Sequence, residues 1–194
     1  MTYEDLNRFK NIEELKTKRL VLRKLRPSDE SDVYLYASDA RVTRYLLWSP
    51  HKDVYDTRRY LRFIERKYKR AEMYDWGIEY QGHIIGTCGF SAFSIQNNSA
   101  EIGYVLRADC WGMGIAAEAL SAVLEYGFSK LSLNRIEGKF MYDNTRSLSV
   151  MQKCKMTFEG VAKSQIFVKG KYRDVGTCAI LKSEYEHFKN LGTL

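Results

Sequence analysis

The stretch of this chain with the most chemistry in it runs from Glu101 to Leu120, EIGYVLRADCWGMGIAAEAL. An alternating strand-like run ends near Arg107, a turn carries Gly112 and Gly114, and a helical run of small residues starts at Ile115. Glycines at such a turn let the backbone approach a ligand closely, and the unpaired N–H groups of Met113 to Ala117 converge at the positive end of a helix dipole. That arrangement binds phosphate. The turn lacks the Lys-Ser/Thr of an ATP-binding loop and the third glycine spacing of a dinucleotide fingerprint, which weakens both of those readings.

Other reactive side chains are dispersed. Cys88, Cys110, Cys154 and Cys178 form no C-x-x-C and have no evident histidine partner, so they read as core thiols of a reducing compartment. His51, His83 and His187 offer neither zinc-site spacing nor H-E-x-x-H, and no metal is expected.

The elements that must hold the glycine turn follow from periodicity. Arg19 to Leu25 alternates as a strand closed by Pro27, and Ser28 or Asp29 can cap a helix reaching about Ser38. Val42 to Trp48 is apolar and aromatic without a clean period. Asp53 to Ala71 is a basic helix with a Tyr/Leu/Ile stripe. Tyr74–Tyr80, His83–Phe93 and Ala100–Arg107 read as an antiparallel meander. The long helix after the glycine turn repeats Ala116, Ala119, Leu120, Val123, Leu124, Phe128 and Leu131 at helical spacing. A strand over Arg135–Met141, a helix capped by Asn144 and ending near Cys154, and strands over Thr157–Val168 and Tyr172–Leu181 complete the chain. The order is that of a mixed α/β sheet with helices on its faces.

With 194 residues, 45% hydrophobic, 28% charged and only 2 prolines, the chain is expected to be one globular domain. No window approaches a membrane span and Met1 to Asn11 is too charged for a secretory signal, so the expectation is cytoplasmic, without a membrane partner. The net charge of +7 favours an anionic partner without naming one. Much of it lies in Arg58, Arg59, Arg62, Arg66, Lys67, Lys69 and Arg70, read as a solvated helix face, with no direct nucleic-acid function expected.

Seven blocks in order, R19LVLR, V42TRYL, A100EIGY, W111GMGIAAEA, N134RIE, N144TRS and F158EG, resemble the GNAT N-acetyltransferase superfamily, particularly its bacterial ribosomal-protein N-terminal (alanine/serine) acetyltransferase branch. The resemblance covers residues 17–185, leaving 1–16 as an N-terminal extension and 186–194 as a C-terminal tail. It implies a central, mixed but mostly antiparallel, seven-stranded sheet flanked by about four helices and splayed between strands 4 and 5, with acetyl-CoA in the wedge.

The resemblance also implies roles. Pyrophosphate falls to the turn and helix start, Trp111, Gly112, Met113, Gly114, Ile115, Ala116 and Ala117. Val105 and Leu106 run beside the pantetheine, with Asn144 and Ser147 on its other side. A backbone N–H near Leu106 serves the oxyanion, and Glu101 is the base or water-orienter, or else a cross-sheet ion-pair partner. Tyr45, Leu46 and Trp48 line the acceptor site or pack in the core. The sequence departs from the family at three places. Trp111 stands where the motif has Arg or Gln, leaving Arg107 or Lys153 to supply a cation. Met151 replaces the tyrosine that protonates the leaving thiolate, so that role passes to Ser147, Tyr142 or water. Lys155-Met156 replaces Gly-Phe, so a left-handed helix end must be non-glycine. The implied activity is direct acetyl transfer to a protein N-terminus or a small amine such as a drug or polyamine, by a monomer or homodimer. A non-catalytic CoA-binding module is the remaining alternative.

Overall fold

The computed structural model describes residues 7–72 and 74–193. Strands β1 (Leu15–Lys16), β2 (Leu20–Arg23), β3 (Tyr74–Tyr80), β4 (His83–Ser94), β5 (Ser99–Leu106), β6 (Arg135–Met141), β7 (Thr157–Val168) and β8 (Lys171–Leu181) form one sheet, ordered β1-β2-β3-β4-β5-β6-β8-β7. Every neighbouring pair is antiparallel except β5–β6. The helices are α1 (Glu30–Ala37), α2 (Ala40–Thr43), α3 (Val54–Lys69), α4 (Ile115–Ser129), α5 (Thr145–Lys153) and α6 (Lys182–Asn190). Among the described residues, eight strands and six α-helices thus replace the expected seven and about four. Of the three additions, β1 has two residues and α2 four, too few to show a period, while α6 has nine and follows β8 directly.

Both ends of the described chain pack. Phe9 is fully buried edge-on against Tyr74 and Trp76, at centroid distances of 4.8 and 5.8 Å. Helix α6 crosses the 185/186 boundary: Leu181 N donates to Glu184 Oε2 at 2.9 Å, and Tyr185 packs on Phe128. Asp29 does not cap α1 through its side chain. Instead its carboxylate receives both terminal nitrogens of Arg23 at 2.9 Å and the Arg26 amide at 2.7 Å. A buried guanidinium requires charged partners, and Arg23 takes Glu79 as its second.

In α4 the residues Ile115, Ala119, Leu120, Val123 and Leu124 are buried at helical spacing, which lays the helix on β4 and β5. Its first turn is thereby fixed at the end of β5. The register then opens. β5 pairs with β4 from Ser99↔Ser94 to Leu106↔Gly86, but with β6 only from Ser99↔Arg135 to Ile102↔Gly138. Beyond that point Lys139 to Met141 pair with β8 alone. No helix of the described residues is long and apolar enough to cross a membrane.

Candidate active site

Parting of β5 from β6 leaves one edge of Tyr104 to Leu106 without a strand partner, and a cavity of about 980 Å³ opens there. Arg107 N donates to Ile85 O on β4 at 2.7 Å. Since N–H groups alternate sides along a strand, the Leu106 amide points away from β4, into the gap.

The floor is the glycine turn. Gly112 and Gly114 have φ of 81° and 76°, left-handed values that disfavour a side chain. Ile115, Ala116 and Ala117 begin α4 with no preceding turn to accept their N–H groups; the helical bonding starts with Glu118 N donating to Gly114 O at 3.1 Å. Arg19 lies beside them. Its Nε meets Glu118 Oε2 at 2.7 Å, its Nη1 donates to Met113 O at 2.9 Å, and a Cβ on Gly114 would lie 3.6 Å from its Nη2. Glu118 is held below the usual carboxylate range by Thr17 and Arg19, which outweigh its partial burial. It positions a cation at the positive end of the helix.

Helix α5 forms the far wall. Asn144 Oδ1 caps it by accepting from Ser147 N at 3.3 Å, and Ser147 Oγ lies 2.8 Å from Tyr104 Oη. Tyr104 also donates to Ser147 O at 2.9 Å. Burial pushes the Tyr104 phenol above its usual range, so it stays protonated. Arg146 stacks over the Trp111 ring at 4.5 Å, and Trp111 Nε1 donates to Leu106 O at 2.9 Å.

Of the residues expected at the cofactor, Val105, Leu106, Trp111, Gly112, Gly114, Ile115, Ala116, Ala117, Asn144 and Ser147 all line this cavity, and so do Tyr45 and Leu46 from the acceptor set. Met113 does not: its side chain is exposed and its carbonyl is taken by Arg19. Trp48 lies elsewhere, 5.7 Å from the His51 ring and outside the cavity lining. Glu101 also lies outside the lining, on the open sheet face, where Lys139 Nζ donates to its Oε2 at 2.6 Å and Ser91 Oγ to its Oε1 at 3.3 Å. The Glu101 bond raises the Lys139 ammonium above the usual lysine range.

Of the two proposed cations, Lys153 lines the cavity, whereas Arg107 is outside it and paired with Asp109 at 2.7 Å. Arg146, Arg19 and Tyr104 were missed as site residues although each falls within a resembling block; their roles come from tertiary contacts. Tyr142 is exposed against Phe158 and Met151 is a buried packing residue facing Gly138, so neither reaches the cavity lining. Lys155 has φ 63°, the non-glycine left-handed position expected after α5. All four cysteines are free and buried.

A family model described as the acetyltransferase (GNAT) domain matches residues 19–157. The chain is 36% identical over 176 residues, 90% of its own length and 99% of the relative's, to the uncharacterized N-acetyltransferase p20 of Bacillus licheniformis. A GNAT-family acetyltransferase structure from Bacillus anthracis superposes with TM-score 0.78 at 29% identity, covering 89% of this chain and all of that one. The ribosomal L7/L12 α-N-protein acetyltransferase RimL, solved in complex with coenzyme A, superposes with TM-score 0.76 at 25% identity over 87% of this chain and 98% of its own. With its family's domain spanning the opened strands and a relative aligned along almost its full length, this chain belongs to the GNAT family of acetyltransferases.

Proposed function

We propose that the protein transfers an acetyl group from acetyl-CoA to the N-terminal α-amine of a protein, in the manner of the ribosomal-protein acetyltransferases. The observation that carries this reading is the meeting, in one cavity, of the unpaired edge of β5, the free amides of α4 and the Asn144–Ser147 start of α5. The cradle fits the cofactor: left-handed glycines keep the turn free of side chains, free amides and Arg19 suit a pyrophosphate, and the long unpaired strand edge suits the amides of a pantetheine arm.

When bound, acetyl-CoA supplies an acyl carbon to which the amine nitrogen forms a C–N bond as the C–S bond breaks. The Leu106 N–H polarises the acyl oxygen. Asn144 and the Tyr104–Leu106 edge align the pantetheine, and Ser147 Oγ, backed by Tyr104 Oη, holds the proton needed by the thiolate. Because Tyr104 has one proton and two oxygens of Ser147 within reach, it can donate to the Ser147 carbonyl at rest and to Oγ once that hydroxyl has given up its proton. Glu101, on the open face, accepts the amine proton through water. Tyr45 and Leu46 contact the acceptor, and Trp48 is left out of that set.

An α-amine of pKa about 7.7–8.0 is partly neutral near neutrality, whereas a lysine amine at about 10.4 is almost wholly charged, so a carboxylate already engaged by Lys139 is better matched to the former. Turnover of acetyl-CoA against peptide N-termini, lysine-containing blocked peptides and small amines tests the proposal. The expected result is acetylation at α-amines; exclusive use of lysine or small amines would overturn it.

A further inference from the structure

The charge around the cavity is one-sided. Among the described residues that line it, Arg41, Arg44, Arg146 and Lys153 are basic and Asp143 alone is acidic. Arg41 is neutralised by Asp39 at 2.6 Å, and Arg146 is committed to the Trp111 ring beside the cofactor cradle. Arg44 has no carboxylate partner among the described residues; it rests over the Tyr45 ring at 5.1 Å, next to the proposed acceptor contacts.

The β7–β8 turn adds to this charge. Lys169, just outside the cavity lining, donates from Nζ to Thr43 O at 2.6 Å, immediately before Arg44 in the chain. Behind it stands Arg173, whose Nη1 is 3.6 Å from Asp143 Oδ2 and whose Nε is buried without a hydrogen-bond partner among the described residues. The single acid of the lining is therefore already shared with a cation. Burial, followed by repulsion from Arg173, lowers the Lys169 ammonium below the usual lysine range.

We propose that the acceptor is a protein N-terminus carrying an acidic side chain within its first few residues, selected by Arg44, Lys169 and Arg173, and that polyamines are rejected by the same charges. This rests on the acetyl-transfer reading and narrows its substrate class. A carboxylate entering the cavity would meet Arg44 on its lining, with the charges of Lys169 and Arg173 close behind through Thr43 and Asp143. A polyamine brings further ammonium groups into a site with surplus positive charge, and like charges at close range cost affinity. The same field favours the neutral form of the incoming α-amine, which lightens the demand on Glu101.

Two readouts test the selection: kcat/KM for acetylation, and calorimetric affinity for the protein saturated with CoA. The probes are peptides of one length and one first residue, bearing aspartate, alanine or lysine at the second and third positions, together with spermidine. The aspartate peptide should exceed the lysine peptide by ~10-fold or more in both readouts, with spermidine lowest and added salt compressing the range. Arg44→Glu, an exposed substitution, should invert the order while CoA affinity holds; Lys169→Glu, at a turn, provides a second variant should the first fail to fold. Equal or better binding of the lysine peptide or spermidine, or an unchanged order in the folded variants, would overturn the selection. Loss of turnover on every acceptor would instead remove the transferase reading, and the affinity order would still decide this one.

Discussion

On its β4 side, strand β5 is paired along its whole length, while on its β6 side pairing stops at Ile102↔Gly138. Glycines mark the contrast. Gly86 on β4 lies so close to β5 that a Cβ would stand 2.1 Å from the Val105 carbonyl oxygen, whereas a Cβ on Gly103 of β5 would meet nothing within 4 Å. The closed side holds the strand rigid through backbone packing. The open side then presents Leu106 and its neighbours as fixed hydrogen-bonding groups at no reorganisation cost when a ligand arrives.

The largest effect should come from forcing the closed side apart. Gly86→Ala is expected to lose ~3 kcal/mol or more of stability, because backbone rather than a flexible side chain must give way, while Gly103→Ala should stay within ~0.5 kcal/mol. Urea denaturation of the two variants decides; similar losses would erase the distinction between the two sides.

Next in size are effects confined to the open side. Gly114→Asp puts a strained left-handed residue and a negative charge beside the free amides, and CoA affinity should fall ~100-fold with the fold intact. Calorimetry returning a wild-type value would remove the pyrophosphate assignment. Glu101→Gln should lower turnover by ~100-fold and Ser147→Ala by ~10-fold, each with little change in CoA affinity. An undiminished rate in either variant would strike that residue from the mechanism.

A smaller effect belongs to the closed half. Asp75 on β3 is half-buried with its Oδ1 enclosed, and desolvation pushes its carboxyl up to about 7, with a Thr87 hydrogen bond opposing. The unfolded chain releases this proton near the usual carboxylate pKa of about 3.9, so the contribution falls as pH rises from about 4 to 7 and is fully lost above that. Asp75→Asn should therefore be more stable than wild type at about pH 8 and lack that decline. Denaturation midpoints across this range check the sign; a parallel decline in the variant would assign it to other groups.

What could be read from the sequence follows the same division. β5 and α4 show their periods plainly because each has one face in the core and enough residues to display it, and Asn144 is readable as a cap because its side chain serves its own backbone. The glycine turn announces itself through positions that need positive φ. Contacts between distant segments leave no such mark: Arg146 on Trp111, Tyr104 against Ser147 and Lys169 on Thr43 arise only once the sheet has brought their elements together. Trp48 sits in a segment without periodicity, so nothing local fixes which way its ring faces, and the fold turns it toward His51 rather than into the cavity with Tyr45 and Leu46. Helix α6 shows no start signal in the sequence because it follows β8 without a break and its cap comes from Glu184, inside the helix.

On the proposed function, the unpaired edge of β5 and the first turn of α4 together receive CoA. Hydrogen exchange resolved to single amides, with and without saturating CoA, tests it most directly. Leu106 and Ile115 to Ala117 should exchange readily in the free protein and become protected by at least ~10-fold when CoA binds, while the β4 amides of Gly86 to Phe90, already paired or buried, should hardly change. CoA binding that leaves Leu106 and the α4 amides unprotected, or that protects a different surface, would contradict the claim.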